Sequence, residues 1–197
     1  MPPRSQDERS RATRAALLAA ARRLFAGRGY ADVPTDEIVA AASLTRGALY
    51  HHFADKRALF EGVFLELEAE ITAEIAAAGS TGTGWPATTA TLSTFLDLCL
   101  RPEVVQIALT DAPAVLGWAR WREIEAEHGL RLIVDQLQRL ADAGELAEGP
   151  VELLARLALS ATVEAALVIA HAADPAAARA RAEIALLTLL SGLIPRS

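Results

Sequence analysis

Arg46, Tyr50, His51 and His52 stand within seven residues of one another, in the run TRGALYHHF that starts at Thr45. These side chains are equipped for hydrogen bonding rather than for bond breaking. A guanidinium pairs bidentately with guanine O6 and N7, and serves equally well on a phosphate. A phenol and imidazoles donate to phosphate oxygens. Gly47 lets the backbone approach a groove closely, and Ala48 suits a thymine methyl. The adjacent histidines raise the question of a metal. Positions i and i+1 diverge on a helix, however, and no cysteine or acid cluster accompanies them, so no metal is expected. Elsewhere Cys99 has no partner motif, and no GxSxG, HExxH or CxxC is present, so neither an enzyme nor a cofactor is expected. The glycine-rich loop at residues 79–84 lacks the lysine of a phosphate-binding loop and reads as a linker.

The elements that must position this set are two short helices joined by a tight turn. Thr35 follows Pro34 and is placed to cap a helix, with Asp36 and Glu37 suited to its N-terminus. Ile38, Val39 and Ala42 give it an apolar face, and Ser43-Leu44 interrupts it. Thr45 can cap the next helix, at about residues 45–51. That helix is too short to stand alone and needs Leu49 and Phe53 as anchors. A short polar helix on an apolar anchor is the layout of a DNA recognition helix. The candidate DNA contacts are therefore Thr35, Thr45, Arg46, Gly47, Ala48, Tyr50, His51 and His52. Lys56 joins them as a phosphate contact, and Arg4 and Arg9 as an N-terminal arm.

Phe25 to Tyr30, Thr35 to Ala42, Arg46-Gly47-Ala48-Leu49-Tyr50, His52-Phe53 and Lys56 to Leu59 resemble the DNA-binding domain of the TetR family, the tetracycline-repressor-like bacterial transcription regulators. The likeness covers residues 9–64. It implies a homodimer on a palindromic DNA operator, most often as a repressor, released by a small-molecule effector held in a helical body. It also implies that the helix after residue 55 links the head to that body. One position departs from the pattern. Ser43 stands where the family usually has glycine, so the turn is either strained or of another type.

Charge is distributed to match. Residues 1–60 carry ten Lys and Arg against six acids, a net +4, whereas residues 61–197 carry nine against nineteen, a net −10. A basic head on an acidic body puts a nucleic-acid surface in the first sixty residues. With 52% hydrophobic residues in a chain of 197, disorder is not expected. Charges interrupt the apolar runs, the N-terminus has no apolar leader, and Cys99 is the single cysteine. No membrane partner and a cytoplasmic location are the expectation.

No strand-like alternation occurs, so the expected fold is all-α, with about nine helices. The division is residues 1–55 for the helix-turn-helix head and 56–197 for the regulatory and dimerisation body. Helices are expected at about 8–26, 35–42, 45–51, 56–78, 87–100, 102–110, 118–143, 150–172 and 175–193, with Asp55 and Asp174 as caps and Pro113 and Gly117 breaking the chain between two of them. The last two are apolar on more than one face. Leu157, Ala161, Ala165, Val168, Leu186, Leu189, Leu190 and Leu193 are expected to bury that surplus against a second copy as a four-helix bundle.

The body carries no ligand signature. Phe95, Cys99, Gln106, Thr110, Asp111, Trp118, Trp121, Glu125 and His128 are candidate pocket residues. The effector is unidentified; few positive charges and several aromatics suit an apolar or aromatic molecule. Trp118 and Trp121 share a face that is out of phase with the Leu130, Ile133, Val134, Leu137 stripe of the same helix. Either Gly129 resets the phase or the tryptophans serve another surface, a pocket or plain packing. The other class of function is a helical small-molecule carrier without specific DNA binding.

Overall fold

The structure is a computed structural model that describes residues 6–80 and 82–194. Arg4 therefore lies outside the described residues. Their regular secondary structure is α-helical with two π-helical turns, and none of them is in a strand.

The head consists of α1 (Gln6–Arg28), α2 (Thr35–Ala41) and α3 (Arg46–His52). Leu17, Leu18, Ala21 and Phe25 of α1 are buried together with Ile38, Leu49 and Phe60. Tyr30 follows Gly29, which leaves α1 with φ of 78°. Its ring packs edge-on against Phe60 and beside Phe25, with centroids 5.2 to 5.7 Å apart. Thr35 is not a cap. It is the first residue of α2, and extended Pro34 occupies the cap position without a side-chain hydrogen bond. Proline's fixed φ holds the entry to the helix in place of a hydroxyl.

From the head runs α4 (Lys56–Gly79), capped by Asp55, whose Oδ1 accepts from Ala58 N at 2.7 Å. It packs against both α1 and α5 (Gly84–Leu98), and so belongs to head and body at once. Helical structure then continues through the π-helical turn Val104–Asp111 into α6 (Ala112–Leu116). Pro113 does not break this stretch. It falls at the first turn of α6, directly after the widened turn, where a missing N–H is tolerated. Gly117, at φ of 82°, ends the stretch.

The expected helix at 118–143 is α7 (Trp118–Glu125), a second π turn (Ala126–Leu130) and α8 (Arg131–Asp142) in unbroken succession. The wide turn supplies the change of phase, because a π turn adds a residue to the helical repeat. Gly129 lies within it, where an added Cβ would sit 3.1 Å from Leu159 Cδ1. The turn thus brings α9 (Val151–Ala170) close to the backbone.

Pro150 precedes α9 as its cap rather than opening it. Asp174 Oδ1 accepts from Ala177 N at 3.0 Å and caps α10 (Pro175–Ser191). Ala165, Leu186 and Leu190 are buried within this chain, between α9, α10 and their neighbours. They belong to its own core rather than to a surface awaiting a partner. Ala161 and Leu193 are half-buried, whereas Leu157, Val168 and Leu189 face outward, with Leu157 59% exposed. By length and composition alone α9 could cross a membrane. Its outward surface also carries Arg156 and Glu164 among the leucines.

Candidate nucleic-acid interface and buried cavity

α3 is held by its own ends and one buried anchor. Thr45 Oγ1 accepts from Ala48 N at 3.2 Å at the start, and Leu49, fully buried, fixes the inner face. Arg46, Gly47, Tyr50 and His51 are left exposed on the outer face, with Ala48 and His52 half-buried beside them. The His51 and His52 rings meet edge to face, 5.1 Å apart, instead of diverging. Arg46 Nε lies 3.2 Å from Asp36 Oδ1, an exposed pair. Hydrogen bonding to Tyr50 and the charge of Asp36 push the Arg46 pKa up further. An exposed pair of this kind is screened and gives the guanidinium little hold, so it can turn to a phosphate or a base edge.

The α2–α3 turn explains how a serine takes a glycine's place. Leu44 N donates to Val39 O at 2.8 Å and Ser43 N to Ala40 O at 3.0 Å. These are the two bonds of a Schellman closure, which requires a left-handed residue between them. Ser43 is that residue, at φ of 54°. Of the two readings left open by the sequence, the strained one applies.

The remaining candidates separate. Arg9 is exposed on α1, and Thr35 is half-buried. Lys56 is turned inward: its Nζ donates to Tyr30 O at 2.5 Å and lies 4.0 Å from the Tyr30 ring centroid. Burial lowers its pKa. As placed, it braces the head rather than offering a free ammonium to a phosphate.

Gln106 and Asp111 prove to be junction residues. Asp111 Oδ2 accepts from Tyr30 N at 2.8 Å, and Gln106 Nε2 lies 3.0 Å from where a Cβ on Gly29 would be. Arg57 donates to the Val115 and Leu116 carbonyls at 3.2 and 3.0 Å. Arg22 of α1 grips Glu70 of α4 and Glu103, ahead of the π turn, with four hydrogen bonds of 2.7 to 3.0 Å. The body segment 103–116 is therefore fastened to the head at several points. Thr110 is exposed, and its hydroxyl donates to Val105 O at 2.8 Å within the π turn.

Inside the body a cavity of about 120 Å³ lies between α4, α5, the second π turn, α8, α9 and the end of α10. A smaller one of about 30 Å³ adjoins it through Glu68, Ile71, Phe95, Glu125 and Val163. Of the candidate pocket residues, Phe95 and Glu125 line the larger cavity and Cys99 the smaller. Trp118 is 60% exposed, Trp121 is sealed in the core with its Nε1 unpartnered among the described residues, and neither lines either of these two cavities. Their rings pack 4.9 Å apart. His128 lines neither cavity.

Glu68 was hidden among the acids of α4. It is 6% exposed, and burial together with the charge of Glu125 pushes its pKa well above the usual carboxylate range. The clue was its register: Phe64, Glu68, Ile71 and Ile75 follow the i, i+4, i+7 spacing of one helix face. Glu125 is raised to about 7 by burial, against the opposing pull of Arg122. Burial, then the two acids, lift the Cys99 thiol to about 12.

Comparison with known proteins fits this geometry. The family described as bacterial regulatory proteins, tetR family, matches residues 17–63, and the tetracyclin repressor-like C-terminal domain matches residues 85–193. A crystal structure of a TetR-family transcriptional regulator from Pectobacterium atrosepticum is 38% identical, with a TM-score of 0.89 over 98% of this chain and 99% of that one. A putative TetR-family regulator from Mesorhizobium loti shares the fold, at 19% identity and a TM-score of 0.74 over 95% of this chain and 99% of that one. The transposon Tn10 TetC protein of Escherichia coli is 30% identical over 123 residues, 62% of each chain. The HTH-type transcriptional regulator AcrR of Shigella flexneri is 38% identical over 68 residues, 34% of this chain and 32% of its own length. The chain thus spans less than two thirds of these two curated relatives. With head and body each matched, and a solved relative aligned over nearly its whole length, the chain belongs to the tetR family of bacterial regulatory proteins.

Proposed function

We propose that this chain is a sequence-specific DNA-binding transcription regulator, a repressor that sits on a palindromic operator as a homodimer and leaves it when a small molecule enters the body. The observation that carries the reading is a capped, buried-anchored α3 presenting Arg46, Tyr50 and His51 on a head fastened to a body with an internal cavity. One helix this short makes few base contacts, so two heads on successive major grooves, about 34–36 Å apart, are needed for specificity. The outward Leu153, Leu157 and Val168 of α9 and Ile184 and Leu189 of α10 support the pairing of two copies through these helices. The coupling runs from the cavity walls on α4 to the head, and from segment 103–116 through Asp111 and Arg57. A ligand favouring one arrangement of these helices shifts the population away from the DNA-matching spacing. A regulator rather than an enzyme, working in the cytoplasm, is part of the same proposal.

Fluorescence anisotropy against the DNA upstream of the chain's own gene, at several salt concentrations and with excess competitor, tests it. Binding that survives competitor and loses its preference in Arg46→Ala is the expected result. A folded dimer that binds no DNA at low salt would leave the carrier reading in its place.

A further inference from the structure

Two acids from separate helices meet the same apolar space in the body. Glu68 comes from α4 and Glu125 from the end of α7, and both line both cavities. Among the described residues neither carboxylate has a hydrogen-bond or ion-pair partner, although Glu68 is 6% exposed and Glu125 is half-buried. Arg122 is near enough to act on Glu125 by charge, but its guanidinium donates to Ser160 Oγ at 3.3 Å. No Lys, Arg or His is among the residues lining either cavity. A buried carboxylate without a partner is costly, and such groups are held in place by something that pairs with them.

From this geometry we propose that the cavity takes an amphiphilic organic cation, its charged nitrogen between Glu68 and Glu125 and its apolar part against Phe95, Trp85, Leu92 and Ile133. The inference rests on the reading of the body as the effector-binding part. An anion would meet two acids and no base. A neutral hydrocarbon would fill the cavity but leave both carboxyls without a partner. A cation answers both, and the Trp85 and Phe95 rings add faces that attract positive charge. A metal ion fits poorly, because the described residues add no third acid, imidazole or thiol to form a ligand cluster, and the thiol of nearby Cys99 is held protonated. Burial raises the pKa of both acids, the charge of Glu125 adding to it at Glu68, and a cation between them favours their charged forms. The titratable and charged groups around it are Glu68 on α4, Cys99 after α5, and Glu125 and Arg122 on α7.

Isothermal titration of the full chain with benzyltrimethylammonium, its neutral isostere neopentylbenzene, and phenylacetate tests the proposal. The cation is expected to bind at least about tenfold more tightly than the hydrocarbon. Phenylacetate should not compete. The double variant Glu68→Gln, Glu125→Gln should lose about tenfold or more of the affinity for the cation and none for neopentylbenzene. Equal or tighter binding of the hydrocarbon or of phenylacetate overturns the proposal. So does no binding of any probe, or unchanged cation affinity in the double variant. Thermal unfolding shows whether that variant is folded; if it is not, the ranking of the three probes on the unaltered chain decides. Operator anisotropy with the same probes separates the two readings. A cation that binds but never releases DNA keeps the site and rejects the regulatory coupling, whereas release by neopentylbenzene alone keeps the coupling and rejects the cation.

Discussion

Asp111 Oδ2 accepts a hydrogen bond from the backbone N–H of Tyr30 at 2.8 Å, across 81 residues of sequence. This bond ties the π turn of the body to the first turn after α1, and the half-buried Lys56 sits beside it, its pKa lowered by burial against the opposing charges of Asp111 and Asp32. Asp111→Ala should cost about 1 kcal/mol of stability in chemical denaturation, since it strands a part-buried N–H. It should also shift the ligand-free operator affinity. Asp111→Asn keeps an acceptor and should restore most of both. Unchanged stability and affinity in Asp111→Ala would remove this bond from the head–body coupling.

The left-handed Ser43 is a local liability. A non-glycine residue in this region costs about 1–2 kcal/mol, partly offset by the extra freedom glycine has when unfolded. Ser43→Gly is therefore expected to raise stability by about 0.5 kcal/mol or more, read as a higher denaturant midpoint at unchanged slope. Ser43→Val should lower it. A midpoint that falls in Ser43→Gly would show that the serine hydroxyl contributes more than the backbone costs.

Arg46 and Lys56 are both basic residues of the head, and the structure gives them opposite roles. Arg46→Ala should weaken specific operator binding by about 10- to 100-fold with little effect on folding. Lys56→Ala should lower the unfolding temperature while leaving the salt slope of DNA binding nearly unchanged. A salt slope reduced by about one contact in Lys56→Ala would mean that the ammonium leaves Tyr30 for a phosphate.

The acid pair should give stability a distinct pH dependence. The Glu125 pKa is about 7 in the folded chain against an ordinary 4.5, so between those values the folded state binds more protons than the unfolded one. Stability from this group is therefore highest below about pH 4.5, falls as pH rises, and levels off above about 7. Glu68, also raised by burial, adds a loss of the same sign. Glu125→Gln should flatten this fall and be more stable than the unaltered chain at pH 8. Denaturation at pH 5 and pH 8 checks it; an equal fall in the variant would assign the dependence elsewhere.

Ile184 is 67% exposed and Leu189 61% exposed, alongside Leu157. If two copies pair through these helices, Leu157→Glu with Ile184→Glu should give monomers in sedimentation while the α-helical circular dichroism is kept. Loss of operator affinity should follow, because one α3 cannot span two half-sites. A double variant that remains dimeric would place the contact on another surface.

Much of this was legible in local chemistry. Thr45, Asp55 and Asp174 cap the helices they precede, because a short oxygen-bearing side chain before an apolar-periodic run needs only neighbouring N–H groups. The all-α fold and the exposed row on α3 came from periodicity and from the spacing that carried the family resemblance. Thr35 was misplaced as a cap because an extended proline can take that position without any side-chain bond. Pro113 reads as a breaker because the π turn ahead of it leaves no mark of its own in the sequence, whereas the second π turn shows as the slip of register between Trp118, Trp121 and the Leu130 stripe, with Gly129 inside it.

What the sequence could not determine is which polar residues face each other. Asp111 and Tyr30, Arg22 and Glu103, and Glu68 and Glu125 lie 81, 81 and 57 positions apart, and no local pattern signals such a meeting. Glu68 shares its helix with acids that stay in water, and only the packing of α4 against α5 and the second π turn removes it from solvent. By itself the sequence determined the helices, their caps and the reading face of α3, which are properties of neighbours along the chain. The fastening of head to body, the inward turn of Lys56 and the unpaired acids of the cavity were decided by tertiary structure, because burial and long-range pairing exist only once the helices are packed.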